Sequence, residues 1–174
     1  MSILLEPPGI SALGKGSLFF LPTIASLSAP KVSEFTAGTN LTCAVDAGWE
    51  PTYEESYGSR MKYCSTAEFE VRGKGKWTGS QLVYEWDPQN PDDITNYKHV
   101  TALAAGTKGY LALRLGLGKD QAIAAAQKIA WIKPVEFGAQ VTVPVDPSND
   151  GQVLQLTQRY FVTGSGVENV TVAT

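Results

Sequence analysis

Histidine is all but missing from this chain: there is one, His99, among 174 residues. That count excludes a histidine relay and any multi-histidine metal site. Cysteine is scarce too. Cys43 and Cys64 have no further Cys or His beside them, which argues against zinc. Two half-buried thiols in a reducing cytosol are the simpler reading, with a single disulfide as the alternative. Charged residues make up 18%, and cations are the minority, 14 Lys and Arg against 17 Asp and Glu, for a net charge of -3. Strong affinity for nucleic acid is excluded, because such affinity comes mostly from cations that replace condensed counterions. No apolar run approaches the roughly 18–20 residues of a membrane helix, and no membrane partner is expected.

Two near-motifs fail on their context. "GISALGKGS" (9–17) matches seven of the eight positions of a phosphate-binding P-loop, but Gly16 stands where the magnesium-binding hydroxyl belongs. The helix that must follow would contain Pro22 and Pro30, so a glycine turn is the better reading. "KGSLFFLPTIASLSA" (15–29) has the outline of a secretory core, with a lysine before it and small residues after it. Glu6 in the would-be basic segment and Pro22 within the run argue against export.

What the chain does have is glycine (17), proline (10) and 10% aromatic residues. Many turns with few charges favour an all-β protein, and aromatics on a sparsely charged exterior suggest partner molecules in place of water. The length suits one domain over 1–174, with a flexible arm over about 1–16. Alternation in "STAEFEVRG" puts Ala67, Phe69 and Val71 on one face, predicted to be buried. "GKGKWTG" then reads as a reversal into "SQLVYEW", so that 66–86 is predicted to be a hairpin. Asp92 or Asp93 can cap one flanking helix over about 92–105, ending at Gly106. "KGYLALRLG" alternates as a strand; a short helical turn over 120–127 and a strand to about Phe137 follow. "QVTVPVDPSNDGQVLQLTQRYFVTGSG" reads as two strands joined at Pro147 and Asn149-Asp150-Gly151. The sum is a mainly antiparallel β-sandwich or barrel with one packed helix.

Residues 44–63 show neither period and exceed the usual length of a connection. The stretch carries Trp49, Tyr53, Tyr57 and Arg60, residue types enriched at protein interfaces, and is predicted to be a long interface loop. Chemistry is harder to find. Adjacent acids such as Glu54-Glu55 and Asp92-Asp93 point apart in extended chain, and Glu68 with Glu70 reads as a solvated strand face. "DPSNDG" and "DPQNPDD" lack the ligand pattern of a calcium loop. No catalytic residue, metal ligand or cofactor site is predicted, and the chain is not expected to be an enzyme.

Several phrases taken in order do resemble a known family. "FFLPTIASLSAPKVSEFTAGTNLTC", "ALAAGTKGYLALRLG", "KIAWIKPVEFG" and "QLTQRYFVTGSG" are similar to elements of the major tail proteins of long-tailed phages, most like those infecting actinobacteria. The resemblance runs from about residue 16 to 166. It implies a β-sandwich subunit with a flanking helix, six per ring, in rings stacked into a tube through which DNA leaves the capsid. It also implies partners: identical subunits, a tape-measure protein, and tail terminator and distal tail proteins. The protein would then belong to the virion tail and be assembled in the host cytoplasm. The loop that bridges to the next ring would be Asp46 to Met61.

A bore coated with cations would capture passing phosphates, so a conduit for double-stranded DNA should be acidic or neutral. Glu68, Glu70 and Glu85 are the candidates to line it, an outer solvated face being the alternative. From another class comes a secreted or surface binding module for carbohydrate or protein, using Trp49, Trp77 and Trp86 as an apolar platform.

Overall fold

The computed structural model describes residues 11, 14–46, 48–90, 93, 95–146, 148 and 150–174. The described elements run β1 (Gly16–Leu21), α1 (Val32–Ala37), β2 (Thr39–Asn40), β3 (Thr52–Arg60), β4 (Phe69–Thr78), β5 (Gln81–Glu85), α2 (Lys98–Ala102), β6 (Lys108–Leu115), β7 (Lys128–Thr142), β8 (Gln155–Val162) and β9 (Val167–Thr171). Every strand pair with a described register is antiparallel, so the expected mainly antiparallel β class holds. The chain forms two compact units, one from the segments ending at Ala44, Gly109–Lys133 and Gly166–Thr174, the other from Val45–Lys108 and Pro134–Ser165.

In the first unit β1 pairs with β2 and β6, and the first half of β7 pairs with β9. The run that resembles a secretory core is β1 itself, with Leu18, Phe19, Phe20 and Leu21 all buried. Because Gly16 already begins this strand, the segment after the P-loop-like lysine is strand where a phosphate site needs helix. The rest of that motif, Gly9 to Leu13 except Ser11, lies outside the described residues. Phe19, Leu21, Phe35, Ala112, Ile129, Ile132 and Val172 make the core, with Phe19 and Phe35 edge to face at 5.6 Å. Each fully buried aliphatic side chain there contributes about 1.5–3 kcal/mol relative to exposure.

Helix α1 was not predicted; it starts at Val32, with Lys31 between it and Pro30. The Glu34 carboxylate accepts from the amide of Lys31, which caps the helix, and from that of Ala25 in the preceding loop, both at 2.7 Å. A Cβ at Gly38, which ends α1, would stand 2.6 Å from the Phe20 carbonyl oxygen. Only glycine lets the helix end that close to β1.

Arg114 on β6 is fully buried in this unit, and among the described residues it makes no salt bridge. Its guanidinium donates to the Ser17 hydroxyl (2.9 Å), the Gly118 carbonyl (3.0 Å), the Gln127 side chain (3.1 Å) and the Ala122 carbonyl (3.3 Å). Desolvation holds its pKa below the ordinary value. These bonds gather the connection from β6 to β7, where the sequence predicts a helical turn; the chain there forms open turns instead, with Ala126 at a φ of 68°.

In the second unit the second half of β7 pairs with β8, and β8 pairs with β5. The predicted hairpin over 66–86 is therefore corrected: β5 pairs with β8, and β4 turns to β3. Glycines 73 and 75 explain the misreading, since they lie inside β4 and not in a reversal. The flanking helix exists but is shorter than predicted, five residues at Lys98–Ala102. Asp93 caps the turn before it, accepting from the Thr95 and Asn96 amides at 3.0 and 3.2 Å, while Asp92 lies outside the described residues. His99 is buried, its Nε2 2.9 Å from the Glu85 carbonyl oxygen, which can only accept, so Nε2 carries the proton. Tyr84, Gln140 and Gln158 form a polar network beneath the helix: Tyr84 donates to Gln158 at 3.0 Å, and Gln158 donates to the Leu103 carbonyl at 2.7 Å. Burial pushes the Tyr84 hydroxyl up to about 12. The predicted bend between β7 and β8 is present, though Pro147 and Asn149 lie outside the described residues.

Two substitutions separate core from surface in the first unit. Ile132→Ala should lower stability by about 2–5 kcal/mol in urea unfolding. Leu115→Ala, at a residue 56% exposed, should stay within about 0.5 kcal/mol.

Candidate assembly surface

The predicted loop over 44–63 is largely strand: β3 pairs with β4 in a two-stranded sheet of its own. Its register sets Tyr53 opposite Trp77, Glu55 opposite Gly75, Ser59 opposite Glu70 and Arg60 opposite Phe69. Between Glu55 and Tyr57 the register shifts, and Gly73 and Lys74 face Ser56 alone, a β-bulge. The Ser56 hydroxyl fills the gap, donating to the Lys74 carbonyl at 3.2 Å and accepting from its amide at 3.0 Å. A Cβ on Gly73 would lie 2.6 Å from the Ser56 carbonyl oxygen, so the bulge requires glycine there. Tyr53 lies across Gly75, and its ring packs on Trp77 at 4.9 Å.

Residues directly opposite in an antiparallel pair share a face. Arg60, Phe69, Gly58 and Val71 therefore make one face, while Ser59 and Glu70 make the other, where the Ser59 hydroxyl also donates to Glu68 at 3.2 Å. The face predicted to be buried is open: Phe69 is 56% and Val71 47% exposed. Arg60, Lys62, Ser65, Phe69 and Val71 line a shallow cavity of about 500 Å³ on it. Tyr57 (71%) and Met61 (63%) add to the exposed apolar surface.

Four of the predicted site residues behave differently from one another. Tyr53, Tyr57 and Arg60 lie exposed on β3, as an interface requires. Trp49 does not: it is buried, and its carbonyl accepts the Tyr160 hydroxyl at 2.6 Å, so its side chain is packing within its own chain. The aromatic platform of the binding-module reading loses that member too. Its remaining two are half-buried, Trp77 under Tyr53, and Trp86 with its Nε1 buried and lacking a hydrogen-bond partner among the described residues. The acids fall in two places: Glu68 and Glu70 on the hairpin, Glu85 on β5 opposite Gln155. All three are exposed. Both cysteines are free and, contrary to the half-buried expectation, exposed.

Sequence reasoning passed over Phe69 and Val71 as surface residues, because alternation marks a shared face without saying what covers it. It also passed over Val141, Val145 and Val153, which are 55%, 59% and 47% exposed around the turn between β7 and β8. Among the described residues no group of three or more His, Cys, Asp or Glu could hold a metal ion. Nor, among the described residues, is any helix long and apolar enough to cross a membrane.

A family model described as phage tail tube protein matches residues 5–174. The chain belongs to that family. As a tail tube protein it is a structural component of a phage tail. A search of curated protein sequences gives no match. Among solved structures, a chain of the anti-feeding prophage baseplate, from a six-fold symmetrised cryo-EM structure, is similar over 92% of this chain and 95% of its own, at 13% identity and a TM-score of 0.47.

Within the tail tube protein, the hairpin carries its own charge lock. Arg72 hydrogen-bonds the Glu55 carboxylate through Nη2 and through Nε at 2.9 Å, and the Tyr53 hydroxyl donates to it at 3.0 Å. Arg72 first and Tyr53 second hold the Glu55 carboxyl below its ordinary range. A folded-state pKa that is lowered gives stability that is complete above the unfolded carboxylate range and is lost as pH falls through the folded value. Acidification should thus lower the amide protection factors across 52–78, once the intrinsic pH dependence of exchange is divided out, and Glu55→Gln should flatten that dependence.

The corrected role of Trp49 is also testable. Trp49→Ala should destabilise the monomer by about 3–5 kcal/mol. Tyr57→Ala should change it by less than about 0.5 kcal/mol, as read from urea unfolding.

Proposed function

We propose that this tail tube protein polymerises as stacked hexameric rings into the tail tube of a long-tailed phage, most like those infecting actinobacteria, and that the tube conducts DNA into the host. The observation that carries the reading is the β3–β4 hairpin, which exposes Phe69 and Val71 on one face and Tyr57 on the other. An isolated two-stranded sheet is marginal in water, and large apolar side chains exposed side by side mark a surface that awaits a partner. In a tube the partner is the next subunit, and each copy supplies what its neighbour lacks.

On this reading the subunits assemble in the host cytoplasm around a tape-measure protein, with tail terminator and distal tail proteins at the ends. The net charge of -3 suits a conduit that a polyanion passes without sticking. Glu68, Glu70 and Glu85 are proposed to face the bore, and Tyr53, Tyr57 and Arg60 to bridge rings. Catalysis has no part in it.

Negative-stain electron microscopy of the purified protein at high concentration should show rings or tubes; a strictly monomeric species at every concentration would reject the reading. Tyr57→Ala should leave the monomer folded and shorten the tubes. Changing Glu68 and Glu70 to Lys should permit assembly and slow DNA release, and unchanged ejection kinetics would place those side chains on the outside.

A further inference from the structure

Two exposed patches of the second unit have opposite character. The first is the cavity face of the hairpin, apolar at Phe69 and Val71 and basic at Arg60 and Lys62. The acids Glu68 and Glu70 belong to the opposite face, so the charge of this one is not cancelled in place. The second patch is the turn between β7 and β8. Val143 donates to the Gln155 carbonyl at 2.9 Å, which carries the β7–β8 ladder one residue past the end of β7. Val141, Val145 and Val153 flank this end of the ladder, and all three are exposed.

This second patch is acidic. The Gln152 side chain ties the turn together, accepting from the Asp146 amide at 2.5 Å and donating to the Pro144 carbonyl at 3.0 Å. Asp146 is fixed in turn by the Ser148 amide (2.9 Å) and hydroxyl (2.7 Å), and Asp150 stands exposed beside it.

We propose that the basic, apolar face of the β3–β4 hairpin seats on the acidic, valine-faced β7–β8 turn of a second copy of this chain. The proposal rests on the tube reading and names the surface that the hairpin meets. Charge complementarity selects it: Arg60 and Lys62 oppose Asp146 and Asp150, while Phe69 and Val71 meet valines. A self-complementary pairing of two hairpins would set Arg60 and Lys62 against their own copies, and like charges in apposition are costly. Pairing different patches of identical subunits is head-to-tail, and such contacts extend without closing on a dimer. An open tube needs that kind of contact.

Carbodiimide, which joins amines to carboxylates in direct contact, tests this on the native protein. Tubes should yield cross-linked peptides joining Lys62 to Asp146 or Asp150, absent from monomer; Lys62 joined only to other carboxylates overturns the proposal. Sign reversal gives a second arm. Arg60→Glu with Lys62→Glu, and separately Asp146→Lys with Asp150→Lys, should each raise the concentration needed for assembly by about tenfold or more. All four changes together should return it to near the native value. Circular dichroism of each monomer checks that it folds. Native tubes with unaffected reversals, or with no rescue by the fourfold variant, remove this contact and leave the tube standing; no native tubes at all removes the tube. Binding of DNA or another tail protein by the hairpin face in preference to a second copy also overturns the proposal.

Discussion

A two-stranded sheet cannot cover its own faces, and the rest of this protein is arranged around that constraint. A larger sheet buries one side on a core, whereas β3 and β4 pair only with each other and leave aromatic and aliphatic side chains in water. What keeps such a hairpin in shape is local and polar: the Ser56 hydroxyl in the bulge, the Arg72–Glu55–Tyr53 cluster, and the Tyr53 ring over Gly75 against Trp77. These contacts fix the ladder without using its apolar face. As a member of the tail tube family the chain is part of a multi-subunit tail, and a subunit of such an assembly must reserve surface for its neighbours.

Holding the hairpin out requires a firm base. Tyr160, fully buried on β8, reaches the Trp49 carbonyl, and a Cβ at Gly79 would stand 2.1 Å from the Tyr160 carbonyl oxygen. The chain entering β3 and the chain leaving β4 are thus both pinned against one strand of the second unit. Burial raises the Tyr160 hydroxyl well above its ordinary pKa, so it stays a donor at any ordinary pH. Trp49 belongs to this base. Aromatic residues are enriched both in cores and at interfaces, and composition alone could not tell which role it has.

Legibility in the sequence followed burial. β6, β8 and the end of β7 alternate because one environment differs from the other across each strand, and alternation is the trace that burial leaves. β3 left no such trace: from Thr52 to Arg60 nearly every side chain is exposed, so no period separates Tyr53 from Glu54 or Tyr57 from Gly58. Helix α1 was hidden for a related reason, since only Phe35 of its six residues is buried. Arg114 reads as an ordinary polar member of a strand because its partners are backbone carbonyls, a hydroxyl and an amide, which carry no complementary charge to search for. The ordering of family phrases reached the architecture and the idea of assembly; the contact surfaces required coordinates.

That same guanidinium has a consequence for endurance outside the cell. None of the groups that receive its protons can gain or lose one across the range from gastric acidity to alkaline soil, and arginine itself keeps its charge throughout. The connection it gathers is therefore indifferent to the acidity of the medium, while the Glu55 lock of the hairpin is not. In acid the hairpin would lose part of its local fastening while this connection kept all of its own, and neutralisation would restore the difference.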